Sequence, residues 1–191
     1  MSFTVPLRLQ EELSCESGVD SKDARPALQR ATSKGRTLVN IRSGIKIKAV
    51  VAWYPSLDYT HTREQRRQTC IRPDQDLPAV FTELFDESYL QPPSMNMSNP
   101  YLSPGVAPDH MLHGLPDDII MFCCEWDMLL AEGERFKDRL QNDIHKKVIY
   151  SMVPGVPHGW DKAPNPLRRT PGVQKYYLQA CKELKRIFSE D

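Results

Sequence analysis

The sequence has no excess of charge of either sign: 25 lysines and arginines face 25 aspartates and glutamates over 191 residues. A surface that grips a phosphate backbone needs a basic face, so no nucleic-acid partner is expected. Long apolar runs are missing too. The longest hold six residues, as at Ile119–Cys124, against about 20 for a helix that crosses a bilayer, so no membrane span is expected. The opening residues, Met-Ser-Phe-Thr-Val-Pro-Leu-Arg, lack the basic-then-apolar layout of a secretory leader. There is no paired set of cysteines. The five present (Cys15, Cys70, Cys123, Cys124 and Cys181) are odd in number and irregular in spacing, which speaks against a disulfide framework and for a reducing, cytoplasmic setting. Glycine is scarce: nine against sixteen prolines, with no two glycines adjacent, so many turns are stiff ones. No internal repeat is present. What remains, 40% hydrophobic residues, suffices for one packed core at this length.

Residues 1–44 are polar and charge-mixed and lack apolar periodicity. The spacing specifies little structure there beyond a weak helical pattern over Ala24–Arg30. The signal sharpens at Ile45. Ile45 and Ile47 alternate with Lys46 and Lys48, and Ala49–Tyr54 then runs continuously apolar up to Pro55. This predicts a buried parallel strand over 45–54. In the long connection 56–118, Leu77, Val80, Phe81, Leu84, Phe85 and Tyr89 fall at three- and four-residue spacing, which predicts a helix over 77–90 with one apolar stripe. A short helix near Pro108–His113 is closed by Gly114 and Pro116. A connection of this size commonly forms a lid or a binding wall.

The clearest unit follows. Ile119–Cys124 reads as a buried strand. Leu129–Asn142 reads as a helix with Leu129, Gly133, Phe136 and Leu140 inward, and Val148–Val153 as another strand. Strand–helix–strand order predicts parallel pairing. A last amphipathic helix over Gly172–Ser189 turns Val173, Tyr176, Tyr177, Ala180, Leu184, Ile187 and Phe188 inward.

Glu125-Trp126-Asp127 lies just past the strand ending at Cys124, and Gly155-Val156-Pro157-His158-Gly159-Trp160 just past the one ending at Val153. Open parallel sheets place their active sites at such carboxyl ends. Asp127 could hold His158 in one tautomer while His158 works as general base and then acid. The plainer reading of the same residues makes Asp127 a helix cap and His158 a turn residue.

The ordered series Asn99-Pro100-Tyr101-Leu102-Ser103-Pro104, Leu115-Pro116, Glu125-Trp126-Asp127-Met128-Leu129, Glu132-Gly133-Glu134 and Pro154-Gly155-Val156-Pro157-His158-Gly159-Trp160 resembles the C-terminal half of α/β-hydrolases, in particular the hormone-sensitive-lipase-like esterases. Trp53-Tyr54-Pro55 is similar to the end of the strand that follows that family's nucleophile helix. The resemblance covers residues 45–189. It implies an α/β fold, a partial α/β-hydrolase with parallel strands at about 45–54, 119–124 and 148–153, flanking helices and a lid-like insertion at 56–118. It also implies hydrolysis of small apolar carboxylic esters, with Asp127 as the acid and His158 as the base of a Ser–Asp–His triad, and no metal or organic cofactor.

Two of that family's features are not found in these residues. There is no Gly-x-Ser-x-Gly and no His-Gly-Gly-Gly. The nearest look-alike to a nucleophile elbow is Ala31-Thr32-Ser33-Lys34-Gly35. No buried strand pattern precedes it, and Lys34 stands where a small residue eases the turn, so Ser33 reads as a surface serine before it reads as a nucleophile. The sequence thus reads as a hydrolase remnant or a truncated gene product. As an alternative it reads as a catalytically inactive binding or regulatory module that pairs the open edge of the strand at 45–54 with a partner or with itself.

The other candidates read plainly. His110 and His113, with Asp109 and Asp117 near, imitate metal ligands but have no strong third partner. Cys123 and Cys124 point to opposite faces of one strand and read as buried thiols. Arg63–Arg67 reads as a solvated face, and the Phe81, Phe85 and Tyr89 stripe as core, or as an acyl-pocket lining if the helix belongs to a lid.

Overall fold

A computed structural model describes residues 46–92, 94–162 and 172–190. Ile45, the segment 1–44, its Ala24–Arg30 helical pattern and Ser33 lie outside the described residues.

Three parallel strands form the sheet: β1 (Ala49–Trp53), β2 (Asp118–Cys124) and β3 (Lys147–Val153), in spatial order β1-β2-β3. Val50 pairs with Ile119, and Ile119 with Val148. All seven residues of the central strand β2 are buried, as expected of a strand covered on both faces. Helix α4 (Leu130–Asn142) covers one face and α5 (Val173–Ser189) the other. Alternation along β2 divides the core between them. Ile119, Met121 and Cys123 join Ala52, Phe136 and Leu140 under α4. Ile120, Phe122 and Cys124 join Val153, Val156, Trp160, Ala180 and Ile187 under α5. The two cysteines therefore do face opposite layers. Among the described residues β1 has a strand neighbour on one side only.

The connection from β1 to β2 carries α1 (Arg63–Arg67), α2 (Ala79–Tyr89) and α3 (Asp109–Leu112), with 3₁₀ turns at Pro73–Gln75 and Pro104–Val106. Thr62 caps α1 in a capping box with Gln65. The chain leaving β1 is pinned by Leu57, which is fully buried. The Leu57 amide donates to Glu132 Oε1 at 2.7 Å, and its carbonyl accepts from the Gly105 amide at 2.7 Å.

Three sequence expectations fail in instructive ways. The α2 stripe is not core: Val80, Phe81, Leu84 and Phe85 are each at least 50% exposed. The helix is held by its polar side, through Arg63 clamping both carboxylate oxygens of Asp86 at 2.6 Å and donating to the Thr82 carbonyl at 3.1 Å. The Arg63–Arg67 segment is not a solvated face, because Arg66 is buried against Glu132 (3.2 Å) and bonds the Asp58 carbonyl, and Arg67 pairs with Asp76 at 2.6 Å. Charge spacing in the sequence looks the same whether the partner is water or an acid far along the chain. Phe188 is 62% exposed. Arg186, two residues before it, pairs with Asp118, the first residue of β2, so the helix end overruns the sheet.

Candidate active site

The turn after β2 and the turn after β3 are joined along their backbones. The Glu125 amide donates to the Val153 carbonyl at 3.0 Å, the Trp126 amide to the Val156 carbonyl at 3.0 Å, and the Gly155 amide to Glu125 Oε2 at 2.6 Å. Val156 and Trp160 are buried in the layer under α5. Between these two anchors the chain must expose His158 within a few residues. Gly155 and Gly159 manage the reversals, both at φ +68°, a backbone state that glycine adopts without a side-chain penalty. The glycines are therefore required by the hairpin that carries His158.

Asp127 and His158 meet. Asp127 Oδ2 lies 2.7 Å from His158 Nδ1, and Asp127 Oδ1 accepts the Leu129 amide at 2.9 Å. The Asp127 side chain is 2% exposed and that of His158 32%. A carboxylate this buried persists only when hydrogen-bonded, and both of its oxygens are. One oxygen takes the amide of Leu129, the N-cap residue of α4, and the other meets the imidazole; Asp127 itself makes no cap to the helix. With Nδ1 engaged by a carboxylate, Nε2 is the nitrogen left for chemistry, and it has no hydrogen-bond partner among the described residues.

Behind His158 stands a group that sequence reasoning passed over. The Tyr54 ring meets the His158 ring edge-on, with centroids 4.7 Å apart. Its hydroxyl donates to Asp161 Oδ1 at 2.6 Å, and Tyr177 of α5 donates to Asp161 Oδ2 at 2.5 Å. Burial by itself would raise the Asp161 carboxyl, but the hydroxyls of Tyr177 and Tyr54 hold it below its ordinary value. Burial and Asp161 push the Tyr54 hydroxyl far above the usual tyrosine range, so it remains a donor. The available signal was a carboxylate three residues past a histidine and next to a tight turn. It was masked because Tyr54 also completes an apolar run.

A second Asp–His pair lies in the β1–α1 connection. His61 Nδ1 is 2.9 Å from Asp58 Oδ2, and Asp58 is buried and also accepts from the Thr60 amide and hydroxyl. His61, Gln65, Arg66, Glu132 and Arg135 line an open hollow of about 270 Å³ beside it. Its one buried cation, Arg66, is matched by buried Glu132. His110 and His113 are exposed on and beside α3, where Asp109 pairs with Arg139 and Asp117 with Lys146. Among the described residues no three metal-ligating side chains converge. The thiols of Cys123 and Cys124 are both pushed up by burial, that of Cys123 to about 12, so neither is a nucleophile at neutral pH.

Compared with known proteins, the sequence matches the alpha/beta hydrolase fold over residues 27–162. That match begins upstream of Ile45, where the motif resemblance starts. No curated protein matches the chain. Among solved structures it is similar to a fungal esterase from Rhizomucor miehei, at 25% identity and a TM-score of 0.63, over 75% of this chain and 43% of that one. It shares its fold with a thermostable esterase from Pseudomonas putida, at 24% identity and a TM-score of 0.58, over 72% of this chain and 41% of that one. The chain spans less than half the length of either. Among the described residues no helix is long and apolar enough to cross a membrane.

Proposed function

The chain belongs to the alpha/beta hydrolase fold family, and from that footing we propose that Asp127 and His158 are the acid and base of an esterase-type site acting on small apolar carboxylic esters. The observation that carries this reading is the 2.7 Å contact between His158 Nδ1 and Asp127 Oδ2 at the carboxyl ends of adjacent parallel strands. In the reaction, Nε2 of His158 accepts the proton of an attacking hydroxyl as that oxygen bonds the ester carbonyl carbon. Asp127 stabilises the imidazolium, which then protonates the departing alkoxide. Residues 45–191 are the C-terminal portion of the hydrolase domain, and 56–118 form the wall of the acyl pocket.

The attacking hydroxyl is the part these residues do not supply. With no Gly-x-Ser-x-Gly and no two adjacent glycines in the sequence, the chain by itself leaves esters uncleaved. The test is hydrolysis of a short-chain chromogenic ester by the wild type, Ser33→Ala and His158→Ala. Equal, background-level rates in all three are expected. Turnover that both substitutions abolish would show Ser33 to be the nucleophile and overturn the inactive reading.

A second reading is favoured by β1, which has one strand neighbour among the described residues and carries Val51 and Trp53. On this reading the chain is a non-catalytic module that binds a second copy of itself along that edge. Sedimentation of the chain at increasing concentration separates the two, since a defined dimer supports the module and a monomer removes it. Four cysteines, Cys70, Cys123, Cys124 and Cys181, are free thiols, which supports a reducing, cytoplasmic setting. The balanced charge supports the absence of a nucleic-acid partner.

A further inference from the structure

We infer that Tyr54 is a positioning residue for His158, and that Asp161 is the anchor that makes it one. The inference rests on the reading of His158 as the base of the site. It extends that site to the side chain just past β1, which neither the motif around Asp127 nor that around His158 contains.

The backbone gives the first support. The Tyr54 amide continues the ladder one residue past β1, donating to the Phe122 carbonyl at 2.6 Å. Its φ is then +36°, a region that bulky L-residues avoid. A strained conformation persists only where its surroundings over-determine it, and such residues gather at functional sites. Here the surroundings hold the side chain at both ends. Its ring is packed edge-on with His158, and its hydroxyl donates to Asp161.

The second support is the anchor. The Asp161 side chain is 1% exposed and accepts two tyrosine hydroxyls, one from the end of β1 and one from α5. Tyr177 is itself fixed, its ring stacked on Trp53 with centroids 4.5 Å apart. Asp161 thus ties the His158 hairpin to two other elements at once, and the Lys162 amide closes that hairpin on the Gly159 carbonyl at 2.9 Å. The imidazole is then held from two sides, by Asp127 at Nδ1 and by the Tyr54 ring in edge-to-face packing. Asp127 fixes which nitrogen is engaged, and Tyr54 restricts the swing of the ring about that bond. Together they aim Nε2.

The test uses the full chain with isotopically labelled histidine and follows the His158 ring signals by NMR in Tyr54→Phe, Tyr54→Leu, Tyr177→Phe and Asp127→Asn. Tyr54→Phe keeps the ring and removes only its tie to Asp161. The inference expects broadened His158 signals and partial loss of their ring-current displacement. Tyr54→Leu should remove that displacement altogether. Tyr177→Phe takes a hydroxyl from the same carboxylate while keeping the stack on Trp53 and the Tyr54 tie, and should disturb the His158 signals clearly less than Tyr54→Phe does. Unchanged signals in Tyr54→Phe would overturn the inference, because the ring would then be held without its tie to Asp161. So would a Tyr177→Phe effect as large as that of Tyr54→Phe, which would mean that the whole hairpin loosens. Asp127→Asn reports on the pair separately, so a failure of the Asp127–His158 reading is distinguishable from a failure of the Tyr54 inference. Unfolding midpoints of each variant identify any that does not fold, and for such a variant the remaining two tyrosine substitutions decide the outcome.

Discussion

Gly133 of α4 lies so close to Cys123 of β2 that a Cβ built on the glycine would sit 2.5 Å from the sulfur. The helix rests on the sheet at that point because neither side offers bulk. Gly133→Ala is expected to cost about 1–3 kcal/mol through overpacking, and pairing it with Cys123→Ala should recover most of the loss. Urea unfolding midpoints of the two single variants and the double variant check this. Equal midpoints for the wild type and Gly133→Ala would contradict the packing argument.

Glu132 ties α4 to the chain leaving β1. It takes the Leu57 amide and faces buried Arg66 at 3.2 Å. Removing one partner of a buried pair strands the other charge, at a cost of about 3–5 kcal/mol. Glu132→Leu alone should therefore be strongly destabilised, and Arg66→Met with Glu132→Leu much less so. A double-mutant cycle measured by chemical denaturation tests the coupling.

Acid sensitivity should trace in part to Asp58. Burial would raise its carboxyl, but the Thr60 hydroxyl and amide, with His61, hold it below its ordinary 3.8. A depressed folded-state value means the unfolded chain binds the proton first as the pH falls. The stabilisation is complete above pH 3.8 and drains away as the pH drops through the folded value. Asp58→Asn should therefore be less stable than the wild type at neutral pH, and the gap should close in acid. Midpoints measured on both sides of pH 3.8 would contradict this if the gap stayed constant.

The exposed stripe of α2 predicts an asymmetry. Leu84 is 54% exposed, whereas Phe136 of α4 is fully buried. Leu84→Gln should change stability by less than about 0.5 kcal/mol, and Phe136→Ala should cost about 3–5 kcal/mol. Thermal and urea unfolding of the two variants would refute the account if Leu84→Gln were the more damaging.

Much of the architecture was legible because β2 and α4 obey single periodicities. Six consecutive apolar residues are too few for a typical buried helix and suit a covered strand, and Gly133 and Phe136 fell on one helical face. The Asp127–His158 contact was legible for a related reason, since parallel strand ends bring together residues remote in sequence. The α2 stripe misled because periodicity shows which residues share a face and says nothing of whether that face meets a neighbour. Arg66 misled because its acid, Glu132, lies 66 positions away. Tyr54 was hidden inside an apolar run whose last member does polar work, through a hydroxyl bonded to Asp161 107 positions on.

The central claim is that Asp127 holds His158 with Nδ1 protonated and Nε2 free. The direct measurement is nitrogen and proton NMR of the His158 imidazole at neutral pH, in the wild type and in Asp127→Asn. The account predicts an Nδ1–H tautomer with a far-downfield, exchange-protected proton in the wild type, and loss of that proton signal in Asp127→Asn. An Nε2–H tautomer in the wild type, or the same spectrum in both proteins, would contradict it.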